Sequence, residues 1–141
     1  MRRRVGVAGI LPQGRTVLVL RRSQTDEFLP GAYDLPGGGL DPGESPEEGI
    51  KREVLEETGL HTSIVNRLGS RSYLLDPDSG EHDKTMVVFL LRAEDGGFRI
   101  TLSEEHDEYR WVSDSDLGGI FGSDDLMRSV IHEYFISDSS L

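Results

Sequence analysis

Apolar residues fall in short runs along the chain. Val5 to Leu11 and Thr16 to Leu20 are the first two, separated by Pro12 and a Gln13-Gly14 turn, and they read as strands joined in a hairpin. Beyond Arg22 come a polar loop and a Gly-rich segment, Pro36 to Gly43. The spacing then predicts one strong helix: Ser45 suits the N-cap, Pro46 the first helical position, Glu47 and Glu48 the positive end of the dipole, and Gly59 the stop. Strand-like runs follow at His61 to Val65, Arg71 to Leu75, Thr85 to Ala93 and Tyr109 to Val112, with an acidic turn, Asp76 to Gly80, between the second and third. Ser113-Asp114-Ser115-Asp116 suits the cap of a short helix. Leu126, Val130, Ile131 and Phe135 give Asp124 to Phe135 helical spacing, and Ser137 to Leu141 is expected to fray. Strands interrupted by helices, without repeats or low-complexity tracts, predict a mixed α/β domain.

A length of 141 residues suits a single domain over residues 1–141. Met1-Arg2-Arg3-Arg4 and the run after it imitate a secretory signal, but Gly6 and Gly9 interrupt the run and Pro12 ends it, without a small-residue cleavage pattern. No apolar stretch approaches the roughly 20 residues that span a bilayer, so a soluble chain is expected. The absence of cysteine excludes a disulfide framework, a thiolate zinc site and a cysteine nucleophile, and permits the cytoplasm. A net charge of −11 argues against holding nucleic acid by charge, because such binding rests on Lys and Arg neutralising phosphates. Phosphate-bearing substrates stay open if a metal carries the positive charge.

The acidity is concentrated where a helix least tolerates it. Glu53, Glu56 and Glu57 lie within about 100° of one another on a helical wheel, related by i+3 and i+4. Like charges at those spacings cost a few tenths of a kcal/mol per pair, and they oppose the negative end of the dipole. Gly49 costs about 0.8–1.0 kcal/mol more, relative to Ala. A solvated acidic face would account for the glutamates alone. The run Leu35-Pro36-Gly37-Gly38-Gly39-Leu40-Asp41-Pro42-Gly43-Glu44 adds a glycine loop that brings backbone close to a ligand and leads to the helix N-terminus. Oxygen-only ligands at this density suit Mg²⁺ or Mn²⁺, which bridge phosphate oxygens.

Gly38, five residues, Glu44, seven residues, then Arg52-Glu53-Val54-Leu55-Glu56-Glu57-Thr58-Gly59-Leu60 resembles the Nudix box, G-x5-E-x7-R-E-U-x-E-E-x-G-U with U apolar, over residues 38–60. The first two strands, Leu35-Pro36-Gly37-Gly38 and Tyr109-Arg110-Trp111-Val112 are also similar to the family. The resemblance implies an α/β/α sandwich with a mixed sheet between the box helix and the C-terminal helix. It also implies metal-dependent hydrolysis of a nucleoside diphosphate linked to another moiety. Glu53, Glu56 and Glu57 would be metal ligands together with the Gly37 carbonyl, and Arg52 and Glu44 an ion pair orienting them; Gly38 and Gly59 would be structural. The general base would be Glu53 or a later acid, Glu105 first and Glu104 or Glu108 as substitutes; His106 could orient a water, but is expected on the surface. Two departures stand out. Gly39 occupies a place where many members carry a long side chain, and Gly49 one where alanine is common, so a less stable helix is expected.

Substrate choice is thinner. Arg22 and Gly38 are the candidate substrate contacts by resemblance, and Phe28, Tyr33, Tyr73 and Phe121 could stack on a base, although for each of them core or surface packing is the better reading. Trp111, inside a strand, is expected in the core. Pro77 offers a hint of ADP-ribose, but its Asp-rich setting reads better as a turn. The chain looks like the small nucleoside-triphosphate members, with oxidised purine nucleotides among the possible substrates. Alternatives are an ADP-ribose or dinucleoside-polyphosphate hydrolase, and a nucleotide-binding regulatory module without turnover. No stable nucleic-acid or membrane partner is expected, and a homodimer is compatible with the family.

Overall fold

The computed structural model describes residues 4–25, 30–73, 84–94, 98–123 and 125–139. Strands β1 (Arg4–Ile10), β2 (Pro12–Gln13), β3 (Thr16–Arg22), β4 (Tyr33–Asp34) and β5 (Gly37–Gly39) precede helix α1 (Pro46–Thr58). Strands β6 (Thr62–Tyr73), β7 (Lys84–Ala93) and β8 (His106–Val112) follow, then a 3-10 turn at Asp114–Asp116, a short helix α2 (Leu117–Ile120) and α3 (Leu126–Ser139).

The strands form two four-stranded sheets. One has the order β5-β1-β7-β6 and is mixed, with β1 and β7 parallel and the other pairs antiparallel. In the other, β3 pairs antiparallel with β2, β4 and β8. Because side chains alternate along a strand, central strands covered on both sides feed two cores. Val7, Leu18, Leu20, Val87, Phe89 and Leu91 meet Ile50 and Val54 of α1. Ala8, Ile10, Val17, Val19, Met86 and Val88 face the other way, onto Leu117, Phe121, Val130 and Ile131 of α2, α3 and their link. The result is an α/β/α sandwich. Each fully buried Leu, Ile or Val contributes about 1.5–3 kcal/mol, enough for the layers to override weak local propensities.

Helix α1 starts and stops where its sequence signals say. The Ser45 hydroxyl accepts from the Glu48 N–H at 3.1 Å, the Glu48 carboxylate accepts from the Ser45 N–H at 3.3 Å, and Gly59 closes the helix at φ 77°.

Five expectations need correction. The first two apolar runs are not partners in a hairpin: β1 and β3 lie in different sheets, and the tight hairpin is β2 with β3 around Gly14 and Arg15. Pro12, without an N–H, stands at the crossing between sheets. Residues 62–65 and 71–73 of the two runs are parts of one strand, β6, whose register shifts between Ile64 and Asn66 and between Arg67 and Gly69 leave Val65 and Leu68 without a register partner on β7 and let the strand continue through the stretch that looked like a break. The Gly-rich segment contains strand β5, paired with β1. Strand β8 begins at His106 rather than Tyr109. Helix α3 begins at Leu126, with the Asp125 carboxylate accepting from the Met127 N–H at 2.8 Å, and runs to Ser139 instead of fraying from Ser137. The turn at 76–80, Pro77, Phe28 and residue Asp124 lie outside the described residues, as does the side chain of Tyr73.

Candidate active site

Helix α1 lies against β1, β5 and β6, which brings its carboxylates beside the Gly37–Gly39 strand. Two glycines make the approach possible. Gly37 sits at φ 154°, and a Cβ there would fall 2.0 Å from the Val7 carbonyl oxygen; a Cβ on Gly38 would fall 2.7 Å from the Glu53 carboxylate. Glu53 is thus packed on the bare backbone of Gly38. Glu57, only 4% exposed, accepts a hydrogen bond from the Gly37 N–H at 2.9 Å. Glu56 projects outward and is exposed, within reach of Arg52.

Arg52 joins the outer part of this cluster. Its Nε and Nη2 donate to Glu44 at 2.7 and 2.9 Å, a bidentate pair, while Nη1 donates to Glu53 at 3.1 Å and to Glu56 at 3.2 Å. Nη2 also reaches the Gly39 carbonyl at 3.1 Å. Held by Arg52 and by the Asp41 N–H, the Glu44 carboxyl is lowered to about 2, and the Arg52 pKa is raised.

Further inside the balance reverses. Burial pushes Glu57 up to about 9, against the Gly37 hydrogen bond and aided by the charges of Glu53, Asp34 and Glu105. Burial also raises Glu53, opposed by Arg52 and assisted by Glu56 and Glu105.

The turn before β8 brings a fourth acid to this place. The Ser103 N–H donates to the Glu57 carbonyl at 3.3 Å and the Ser23 N–H to the Glu105 carbonyl at 2.9 Å, pinning the turn between the end of α1 and the end of β3. One oxygen of Glu57, one of Glu105 and one ring nitrogen of His106 all lie within 4.8 Å of one another. His106 is 6% exposed, not on the surface as expected: the register of β8 with β3 turns it inward opposite Arg22. Among the described residues, neither ring nitrogen has a hydrogen-bond partner, nor does Asp34 Oδ1, which lies 3.4 Å from His106 Nε2. Buried polar atoms left unmatched beside carboxylates that resist ionisation are what a divalent cation would satisfy, so the donor set fits one.

The candidate substrate contacts divide. Arg22 Nε pairs with Asp34 Oδ2 at 3.0 Å, at the border of this cluster. Tyr33 is half-buried; its hydroxyl donates to Glu108 at 2.6 Å, and Arg110 stands 5.9 Å from its ring centroid. Phe121 is 6% exposed within the α3-side core, which removes it as a base-stacking surface. Trp111 packs edge-on against Phe98, centroids 5.2 Å apart, beside the α1-side core. Asp34 and the buried orientation of His106 were missed in the sequence. Both depend on strand register, and the only local signal was their adjacency to Leu35-Pro36-Gly37-Gly38 and to Glu105.

Among the described residues, no helix is long and apolar enough to cross a membrane. The family model described as the NUDIX domain matches residues 1–134. The chain is 28% identical over 123 residues to the nucleoside triphosphatase NudI of Klebsiella pneumoniae (strain 342), covering 83% of this chain and 86% of that protein. Its fold is similar to that of a MutT protein from Methanosarcina mazei Go1, with a TM-score of 0.74 at 28% identity over 99% of this chain and 97% of the other. A MutT NUDIX hydrolase from Burkholderia pseudomallei also has a TM-score of 0.74, at 25% identity over 94% and 98% of the two chains. The carboxylate-bearing helix, the glycine strand beneath it and these likenesses agree, and the chain belongs to the Nudix hydrolases, which act on pyrophosphate bonds.

Proposed function

We propose that this hydrolase is a Mg²⁺- or Mn²⁺-dependent pyrophosphohydrolase that converts a nucleoside triphosphate to the monophosphate and pyrophosphate. The observation that carries the cation dependence is the buried Glu57 carboxylate, held by the Gly37 N–H beside Glu53 and Glu105. Glu53, Glu56, Glu57 and the Gly37 carbonyl are the proposed cation ligands. The name of the Klebsiella relative, a nucleoside triphosphatase, supports the substrate class.

What a divalent cation supplies when bound is positive charge on the phosphoryl oxygens and a lowered pKa for a coordinated water. The chain's own groups do the rest. Arg52, fixed by its bidentate pair with Glu44, holds the Glu53 and Glu56 carboxylates in place. Glu53 or Glu105 accepts the proton of the attacking water, whose oxygen forms a bond to the α phosphorus as the bridging oxygen leaves with the pyrophosphate. Arg22, paired with Asp34 at the edge of the cluster, is the proposed contact to the phosphate chain. A chain without cysteine needs no oxidising compartment, which supports the cytoplasm as the place of action.

The test is a panel of nucleoside triphosphates, ADP-ribose and dinucleoside polyphosphates with Mg²⁺ or Mn²⁺, resolved by product. Pyrophosphate release from a triphosphate, lost in Glu56→Gln, is the expected result. Preferential cleavage of ADP-ribose or a dinucleoside polyphosphate would reassign the substrate, and no turnover of anything would leave a nucleotide-binding module.

A further inference from the structure

His106 has no part in the hydrolysis just described, yet it is 6% exposed and lies against two of the carboxylates. Burying an imidazole with both nitrogens unmatched costs free energy that no hydrogen bond from the described residues returns. Asp34 Oδ1, equally unmatched, is 3.4 Å from Nε2. A ring that directs one N–H at a carboxylate keeps a lone pair on its other nitrogen. A carboxylate behind a ligating imidazole is the usual way to fix its tautomer and raise its basicity. Asp34 is itself anchored, through Oδ2, to Arg22.

We propose that His106 is a cation ligand, forming with Glu57 and Glu105 a mixed oxygen–nitrogen site in which Asp34 orients the ring. Such a site favours Mn²⁺ over Mg²⁺. Carboxylate and water ligands serve both ions, but an imidazole nitrogen favours first-row transition metals over hard, oxygen-seeking Mg²⁺. The donor set therefore narrows the cation of the proposed hydrolysis, on which this inference rests.

The test uses the full chain and Mn²⁺ alone, with electron spin-echo envelope modulation as the readout, so turnover does not enter. The expected spectrum carries the modulation of a directly bound imidazole nitrogen, and growth on ¹⁵N-histidine converts it to the ¹⁵N pattern. His106→Gln removes the modulation while the remaining carboxylates still bind Mn²⁺, and the Mn²⁺-to-Mg²⁺ affinity ratio falls by about tenfold or more. If that variant does not fold, a chain with His61, His82 and His132 all changed to Gln leaves His106 as the sole histidine and must retain the signal. Bound Mn²⁺ without histidine modulation overturns the inference and leaves cation-dependent hydrolysis standing. Failure to bind Mn²⁺ at all overturns both.

Discussion

At Glu57, burial works against the charged form, and Glu53, Asp34 and Glu105 add to its effect. Without a cation, the folded carboxyl holds its proton to about pH 9, whereas the unfolded one releases it near 4.5. Between those values the unfolded state binds fewer protons, so this group's contribution to stability is complete below about 4.5 and is lost as pH rises towards 9. In chelator, the melting temperature should fall from about pH 6 to about pH 9; saturating Mn²⁺ should remove that fall, and Glu57→Gln should abolish it in chelator. The two glycines beneath the helix should separate fold from function. Gly37→Ala drives a Cβ into the Val7 carbonyl at positive φ and is expected to cost about 1–3 kcal/mol in denaturant unfolding. Gly38→Ala meets only the movable end of Glu53, so stability should change little while Mn²⁺ affinity in calorimetry drops by about tenfold or more. At this scale the carboxylates were legible because three glutamates on one helix face are costly without a ligand. The inward turn of His106 was not, because it depends on a partner strand more than eighty positions away in the chain.

At the scale of elements, α1 was legible from its own caps, and the central strands from their apolar runs. The sheets they joined were not. Local alternation is the same whether β1 pairs with β3 or with β7, and in β6 the two register shifts, at Val65 and Leu68, leave Asn66 and Gly69 paired in a strand that composition alone would break. Gly49 is a further case of context outweighing propensity. Taken alone it is a weak point in the helix, but a Cβ there would lie 2.2 Å from Leu40 Cδ2. Gly49→Ala should therefore fail to stabilise α1 in the native chain, and should do so by up to about 1 kcal/mol once Leu40 is shortened to Ala. A double-mutant cycle by denaturant unfolding should return a coupling of at least about 0.5 kcal/mol. Ser45→Ala, which removes one half of the reciprocal cap, should cost about 1 kcal/mol in the same assay.

For the whole molecule, the proposed cation site, with Glu57 and His106 buried and Glu105 exposed in a chain of charge −11, predicts that a divalent cation adds to the stability of the fold. At about 100 times its dissociation constant, a cation that binds only the folded state adds about 2.7 kcal/mol, which for a chain of this size raises the melting temperature by on the order of 10 °C. Calorimetric scans with and without Mn²⁺ measure this directly, and Glu56→Gln should reduce the rise. The sandwich also determines where the chain tolerates changes of length. Strands β1, β3 and β7 supply successive residues to opposite cores. A single deletion between Val7 and Ile10 would thus not bring apolar residues into water, as in a sheet with one wet face. It would exchange the contents of two packed interiors, sending residues sized for the α1 side to the α3 side and the reverse. Insertions and deletions are then tolerable chiefly in the connections, and variation among such proteins has to be written in loop lengths, leaving the two interiors in step.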